Sequence, residues 1–278
     1  MNSILDNITK EDIIAEIQLL LNSDVAHEKV VVVVEGLDDI RFISGMCFNN
    51  ENVLVIQSYS GKLGAIDIIQ NYINEQRVIA ILDKDYCTCT EENKIFYYDY
   101  CCLEMMLISS VENFNNIFKE YIYPDRLSSE EFKEYLLKQL KCISLLRKIN
   151  EEKNLGIEFY RISINDLYKN NKIDIKEFKK QINERNNNYL KEHKEIEQQL
   201  DNEYNQEMDK TQLLEITNGH DFCEMLAIVS RLHNRKGISR NIIESMLRCS
   251  YRESDFYRTK LFQDLKEYGD ENKIIILN

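Results

Sequence analysis

The first stretch of the chain carries apolar residues at helical spacing. In residues 9–21, Ile13, Ile14, Ile17, Leu20 and Leu21 fall on one face. Thr9, followed three residues later by Asp12, marks the start of that helix. The period then changes. Residues 29–34 read K-V-V-V-V-V, a continuous β-branched run that suits a strand covered on both faces. Residues 38–48 read as a helix and Val53–Gln57 as a second strand. A glycine-punctuated turn, S-Y-S-G-K-L-G, leads into a helix to about residue 73. Residues 77–82 and 94–98 supply a third and a fourth strand. Strand and helix alternate at the spacing of βαβ units, which predicts an α/β fold with a parallel-rich sheet flanked by helices.

After the fourth strand the sequence turns helical, with Glu104 near the start of L-E-M-M-L. The only proline, Pro124, marks an expected boundary. Residues 128–210 are rich in Lys, Glu and Asn with helical periodicity and nearly balanced charge, so they read as a mostly helical additional lobe with a solvated surface. Within it, residues 157–164 look strand-like and residues 182–209 read as a long helix or hairpin arm. Residues 213–216 read as a short strand. They lead into an amphipathic helix opened by Asn218-Gly219-His220-Asp221. Residues 239–268 are helical, and the tail K-I-I-I-L-N reads as an edge strand. The expected domains are a catalytic core at 24–125, a helical lobe at 126–210 and C-terminal helices at 211–278 that pack on the core.

A chain of 278 residues, 44% hydrophobic and 30% charged, can bury a sizeable core. Its longest apolar runs are far too short to span a bilayer. The N-terminus lacks the basic start and apolar stretch of a secretory signal, so a cytoplasmic location with reduced thiols is expected. The pairs Cys87/Cys89 and Cys101/Cys102 lack zinc-knuckle spacing and read as ordinary thiols. The net charge of −13 argues against a broad electrostatic grip on nucleic acid, although a local basic patch is compatible with a negative whole.

The candidate chemistry sits where strands end. Ligands of open α/β sheets bind beyond the carboxyl ends of the strands, and Glu35, Lys62, Asp83 and Asp85 all fall there. Asp83 and Asp85 are two apart, so on a strand both carboxylates would face one ion. Asp39 follows Glu35 by four residues, in the first turn of the next helix. Such an oxygen-donor set suits Mg²⁺, which relieves the repulsion among clustered carboxylates. Each residue also has a plainer role. Asp38 and Asp39 serve equally as helix caps, Glu104 as a first-turn acid, and His220 as a capping or core histidine. Lys62 approaches a phosphate from its glycine turn, but the turn lacks the full P-loop pattern.

E-G-L-D-D followed by I-L-D-K-D resembles the TOPRIM signature, a Glu in E-G-x-x-D after one strand and D-x-D after a later one. The G-K turn, L-E-M-M-L and N-G-H-D narrow the resemblance to bacterial TOPRIM-like domains related to OLD nucleases, among them the nuclease effector of PARIS anti-phage systems. The resemblance covers residues 24–268. It implies metal ligation by Glu35, Asp39, Asp83, Asp85 and Glu104, with Mg²⁺ or Mn²⁺ as the ion and Lys62 on the scissile phosphate. It further implies a toxic endonuclease acting on RNA, tRNA ahead of DNA, and a separate ATPase partner that senses infection. A homodimer is expected to build the basic groove that one acidic chain lacks. The alternatives are a housekeeping RNA-processing nuclease of the same fold and a non-catalytic binding or regulatory module. A strand-passing topoisomerase is disfavoured, because the chain is short and has no recognisable second catalytic domain with a tyrosine.

Overall fold

The computed structural model describes residues 9–86, 94–122, 126–160, 162–234 and 238–278. The expectations placed on Cys87, Cys89 and Pro124 lie outside those residues. The chain divides into two compact units. One holds residues up to 84, 89–99 and 251–278, and the other holds 85–88 and 100–250. The sheet unit therefore resumes at the C-terminal end of the chain, and the expected boundary at residue 125 falls inside the helical unit.

The sheet unit begins with α1 (Lys10–Ser23), capped as expected, with the Thr9 and Asp12 side chains each accepting the other's backbone N–H. Then come β1 (Val30–Val34), α2 (Leu37–Ser44), β2 (Val53–Gln57), α3 (Gly61–Asn71), β3 (Val78–Leu82) and β4 (Ile95–Tyr97). Among the described residues these strands form a four-stranded, all-parallel sheet in the order β2-β1-β3-β4. β1 and β3 are buried along their whole length, because each has a neighbouring strand on both edges and apolar cover on both faces. Val31, Val33, Val78, Ala80 and Leu82 share one core with Ile13 and Ile17 of α1 and Ala65, Ile68 and Ile69 of α3. Elsewhere in this unit Phe42 of α2 packs edge-on against Tyr98 and Phe256.

The helical unit contains α4 (Leu103–Ser109), α5 (Val111–Tyr121), α6 (Ser129–Lys153), α7 (Ile164–Leu167), β5 (Tyr168–Lys169), β6 (Lys172–Ile173), α8 (Ile175–Arg185), α9 (Tyr189–Glu192), α10 (Lys194–Asn205), α11 (Lys210–Ile216), α12 (Gly219–Asn234) and α13 (Arg240–Ser250). The sheet unit closes with α14 (Glu253–Phe256) and α15 (Lys260–Asn272), where Asp99 accepts from the Lys260 and Leu261 backbone N–H groups.

Several sequence expectations are corrected. Residues 213–216 are helical, not a strand: α11 is capped by Asp209, whose side chain accepts the Gln212 N–H while its own N–H donates to the Gln212 side chain. The described part of 157–164 holds no strand. The Asn150 amide takes both the N–H and the C=O of Ile157, so that backbone pairs with a side chain instead of a sheet edge. Of the two readings of residues 182–209, the single long helix is overturned: the segment breaks at Asn186–Asn188, where Asn187 and Asn188 sit at φ 50° and 60°, a conformation asparagine tolerates, and α10 turns back so that Lys179 of α8 pairs with Asp201. The same residue type builds the unforeseen β5–β6 hairpin, with Asn170 and Asn171 at φ 52° and 60°. The tail contributes a single antiparallel bridge, Leu277 to Phe48, in place of a strand.

The shared core predicts a stability test. Ile68 is completely buried between α3 and the sheet, and Ile68→Ala is expected to cost about 2–5 kcal/mol through lost burial and the cavity left behind. Urea denaturation of the full chain measures it.

Candidate functional site

β1 and β3 are neighbours, yet β2 lies between them in the chain, so the strand order reverses at this pair. Open α/β sheets bind ligands at such a reversal, outside the carboxyl ends of the strands. Glu35 is the residue after β1 and Asp83 the residue after β3. The Glu35 Oε1 accepts the Asp83 backbone N–H at 2.8 Å, so the glutamate spans the two strand exits. Asp39 is buried in the first turn of α2, where its Oδ2 accepts the Gly36 N–H at 2.9 Å. It is at once a helix cap and a buried carboxylate. Asp38 is a surface residue paired with Arg41 at 2.7 Å.

Lys62 enters from α3. Gly61, at φ +53°, holds the left-handed turn that opens this helix. The Lys62 ammonium then donates to the carbonyls of Asp83 and Lys84 at 2.7 and 3.1 Å and lies 5.8 Å from the Tyr97 ring centre. It holds the β3 exit in place. Tyr98 was not foreseen. It is 1% exposed, and burial together with the charges of Asp39, Asp83 and Glu35 pushes its phenol pKa well up. A phenol that feels all three carboxylates is held neutral and keeps its proton. Its only sequence signal was its place at the end of a strand.

Asp85 corrects the strand argument. β3 ends at Leu82, and Asp85 adopts φ 50°, with its N–H donating to the Cys101 carbonyl at 2.6 Å. The period-2 alternation that would align Asp83 and Asp85 does not extend that far. By contact, Asp85 belongs to the helical unit.

Glu104 lies in the helical unit too, on α4, with a second set of groups. Donor atoms of Glu104, His220 and Glu244 all lie within 4.8 Å of one another. The His220 Nδ1 meets the Glu244 Oε1 at 2.8 Å, and Arg240 reaches the same oxygen at 3.3 Å. Glu104 and Glu244 are buried while the His220 side chain is 55% exposed. Such a group of carboxylates and imidazole can hold a metal ion.

The tetrapeptide 218–221 builds this corner. The Asn218 side chain accepts the Asp221 N–H, and Asp221 takes a two-pronged contact from Arg147 at 2.8 and 3.1 Å. Gly219 passes so close to α4 that a Cβ there would overlap the Glu104 carboxylate and lie 2.8 Å from the Cys102 sulfur. The sequence marked His220 as the opening of a helix but not as a partner of Glu244. Glu244 had one overlooked signal: it sits beside Ile243 and three residues before Leu247, on the buried side of an amphipathic helix.

Two expectations follow. Gly219→Ala is expected to destabilise the protein by about 1–3 kcal/mol, because the new methyl must displace Glu104; urea denaturation measures it. The His220 pKa is raised, first by its hydrogen bond to Glu244 and then by the Glu104 charge. A raised folded value means that the stability from this pair is complete below the unfolded value of about 6.5 and is lost as pH rises through the folded one. In metal-free protein, denaturation midpoints are therefore expected to fall with rising pH across that window, and His220→Gln is expected to flatten the slope. No protein-family model matches this chain and no curated protein matches it.

Proposed function

We propose that this protein is a divalent-metal-dependent endonuclease of TOPRIM type, acting on RNA with tRNA ahead of DNA, as a toxic effector in anti-phage defence. The observation that carries the reading is the pairing of Glu35 and Asp83 across the reversal point of a parallel sheet, with Asp39 beside them and Lys62 pinning the β3 exit. The E-G-L-D-D and D-K-D motifs add the resemblance to that family.

The donor set fits Mg²⁺. Glu35, Asp39 and Asp83 offer hard oxygen atoms, and their charges together bear on one buried phenol, a local negative field that a cation offsets. When bound, Mg²⁺ supplies Lewis acidity toward a phosphodiester and acidifies water. The chain's own residues do the positioning. Glu35 ties the two strand exits together, Lys62 fixes the Asp83–Lys84 backbone, and burial together with the carboxylate charges keeps the Tyr98 phenol protonated. With a net charge of −13, the substrate grip is assigned to a homodimer groove, and restraint of the toxin to a separate ATPase.

A second reading, a non-catalytic binding module, draws on the structural duties of two of these residues, Lys62 on carbonyls and Asp39 on the Gly36 N–H. One experiment separates the two readings. Wild-type protein and Asp83→Asn are expressed with the neighbouring genes and challenged with phage, and total RNA is run on a denaturing gel. Growth arrest with discrete RNA fragments, reduced at least about a hundredfold in Asp83→Asn, is the expected result. Intact RNA and DNA with identical behaviour of both proteins sinks the nuclease reading in favour of the binding module.

A further inference from the structure

Burying a carboxylate is costly unless something offsets its charge. Glu244, 4% exposed, has His220 and Arg240 against it. Glu104, 7% exposed, is different: among the described residues no group donates a hydrogen bond or an ion pair to its carboxylate. That carboxylate is nevertheless aimed at the other two, with donor atoms of all three residues within 4.8 Å of one another. Room for it depends on the missing side chain of Gly219. Two buried carboxylates converge here from α4 and α13, and the first turn of α12 adds an imidazole.

The donor chemistry selects the ligand class. Mg²⁺ favours oxygen donors and gives up its water reluctantly, whereas Mn²⁺, Fe²⁺, Co²⁺ and Zn²⁺ accept an imidazole nitrogen beside carboxylates. We propose that Glu104, His220 and Glu244 form a binding site for a divalent first-row transition metal, chemically distinct from the oxygen-only set of Glu35, Asp39 and Asp83. The ion offsets the Glu104 charge and ties α4 to the consecutive helices α12 and α13, which lie more than a hundred residues further along the chain. Its role is that of a structural tie within the helical unit, and it stands whether or not the sheet unit cleaves RNA.

The imidazole makes the site testable apart from any carboxylate site. Full-length protein is loaded with Mn²⁺ alone and examined by pulsed electron paramagnetic resonance, which detects a nitrogen bound to the ion. Wild-type protein and Asp83→Asn are both expected to show modulation from one imidazole nitrogen. His220→Gln is expected to lose it, with Mn²⁺ affinity at this site falling at least about tenfold. The His220 side chain is 55% exposed, and the urea midpoint of His220→Gln checks that the variant is folded under the conditions of the measurement. Glu104→Gln, close in shape, is expected to weaken Mn²⁺ binding similarly. Absence of nitrogen modulation in wild type, or its persistence in His220→Gln, overturns the site. Retained modulation in wild-type protein, with RNA left intact when the neighbouring genes are expressed and phage is present, overturns the nuclease reading and leaves this one standing.

Discussion

The sheet unit depends on one constraint: β1 is five valines with a parallel strand on each edge and apolar cover on each face. Each buried valine contributes on the order of 1.5 kcal/mol as an upper estimate, and none of them tolerates a polar neighbour along the strand. Polar chemistry is therefore expelled to the strand ends. At the carboxyl end of β1 the first residue out of the sheet is Glu35, and its carboxylate meets the exit of β3 rather than bulk water. Packing and chemistry are thus coupled, because the same burial that stabilises the sheet fixes where its carboxylates emerge.

The two carboxylate systems manage buried charge by different means. In the sheet unit the protein's own backbone does much of the work: the Asp83 N–H meets Glu35, the Gly36 N–H meets Asp39, and the Lys62 ammonium holds the carbonyls next door. In the helical unit an imidazole and a guanidinium sit against Glu244, while Glu104 is packed against the backbone of Gly219. The first arrangement suits a hard, oxygen-seeking cation and the second a cation that accepts nitrogen. The described residues contain no helix long and apolar enough to cross a membrane.

What the sequence by itself determined was the local grammar of the sheet unit. The five-valine run, the capping pair Thr9 and Asp12, and the spacing of the four strands were all legible, because strand burial and helix capping depend on residues close in the chain. Asp83 and Glu35 were legible as strand-end carboxylates for the same reason. The misreadings were local conflicts resolved by side chains. Asn150 captured the Ile157 backbone, consecutive asparagines turned left-handed at 187–188 and 170–171, and the Asp209–Gln212 cap turned an apolar run into a helix.

Tertiary structure decided the rest. Which strands became neighbours set Glu35 beside Asp83, a contact 48 residues apart, and the left-handed turn at Asp85 removed that residue from the strand's alternation. Glu104 meets His220 and Glu244 from more than a hundred residues earlier in the chain, those two are themselves 24 apart on separate helices, and no periodicity links the three. Glycine at 219 carries no chemical signal in the sequence, yet its lack of a Cβ is what lets α12 approach Glu104. Contacts of this kind depend on how whole elements pack, and packing is set by the summed shape of many side chains rather than by any short pattern along the chain.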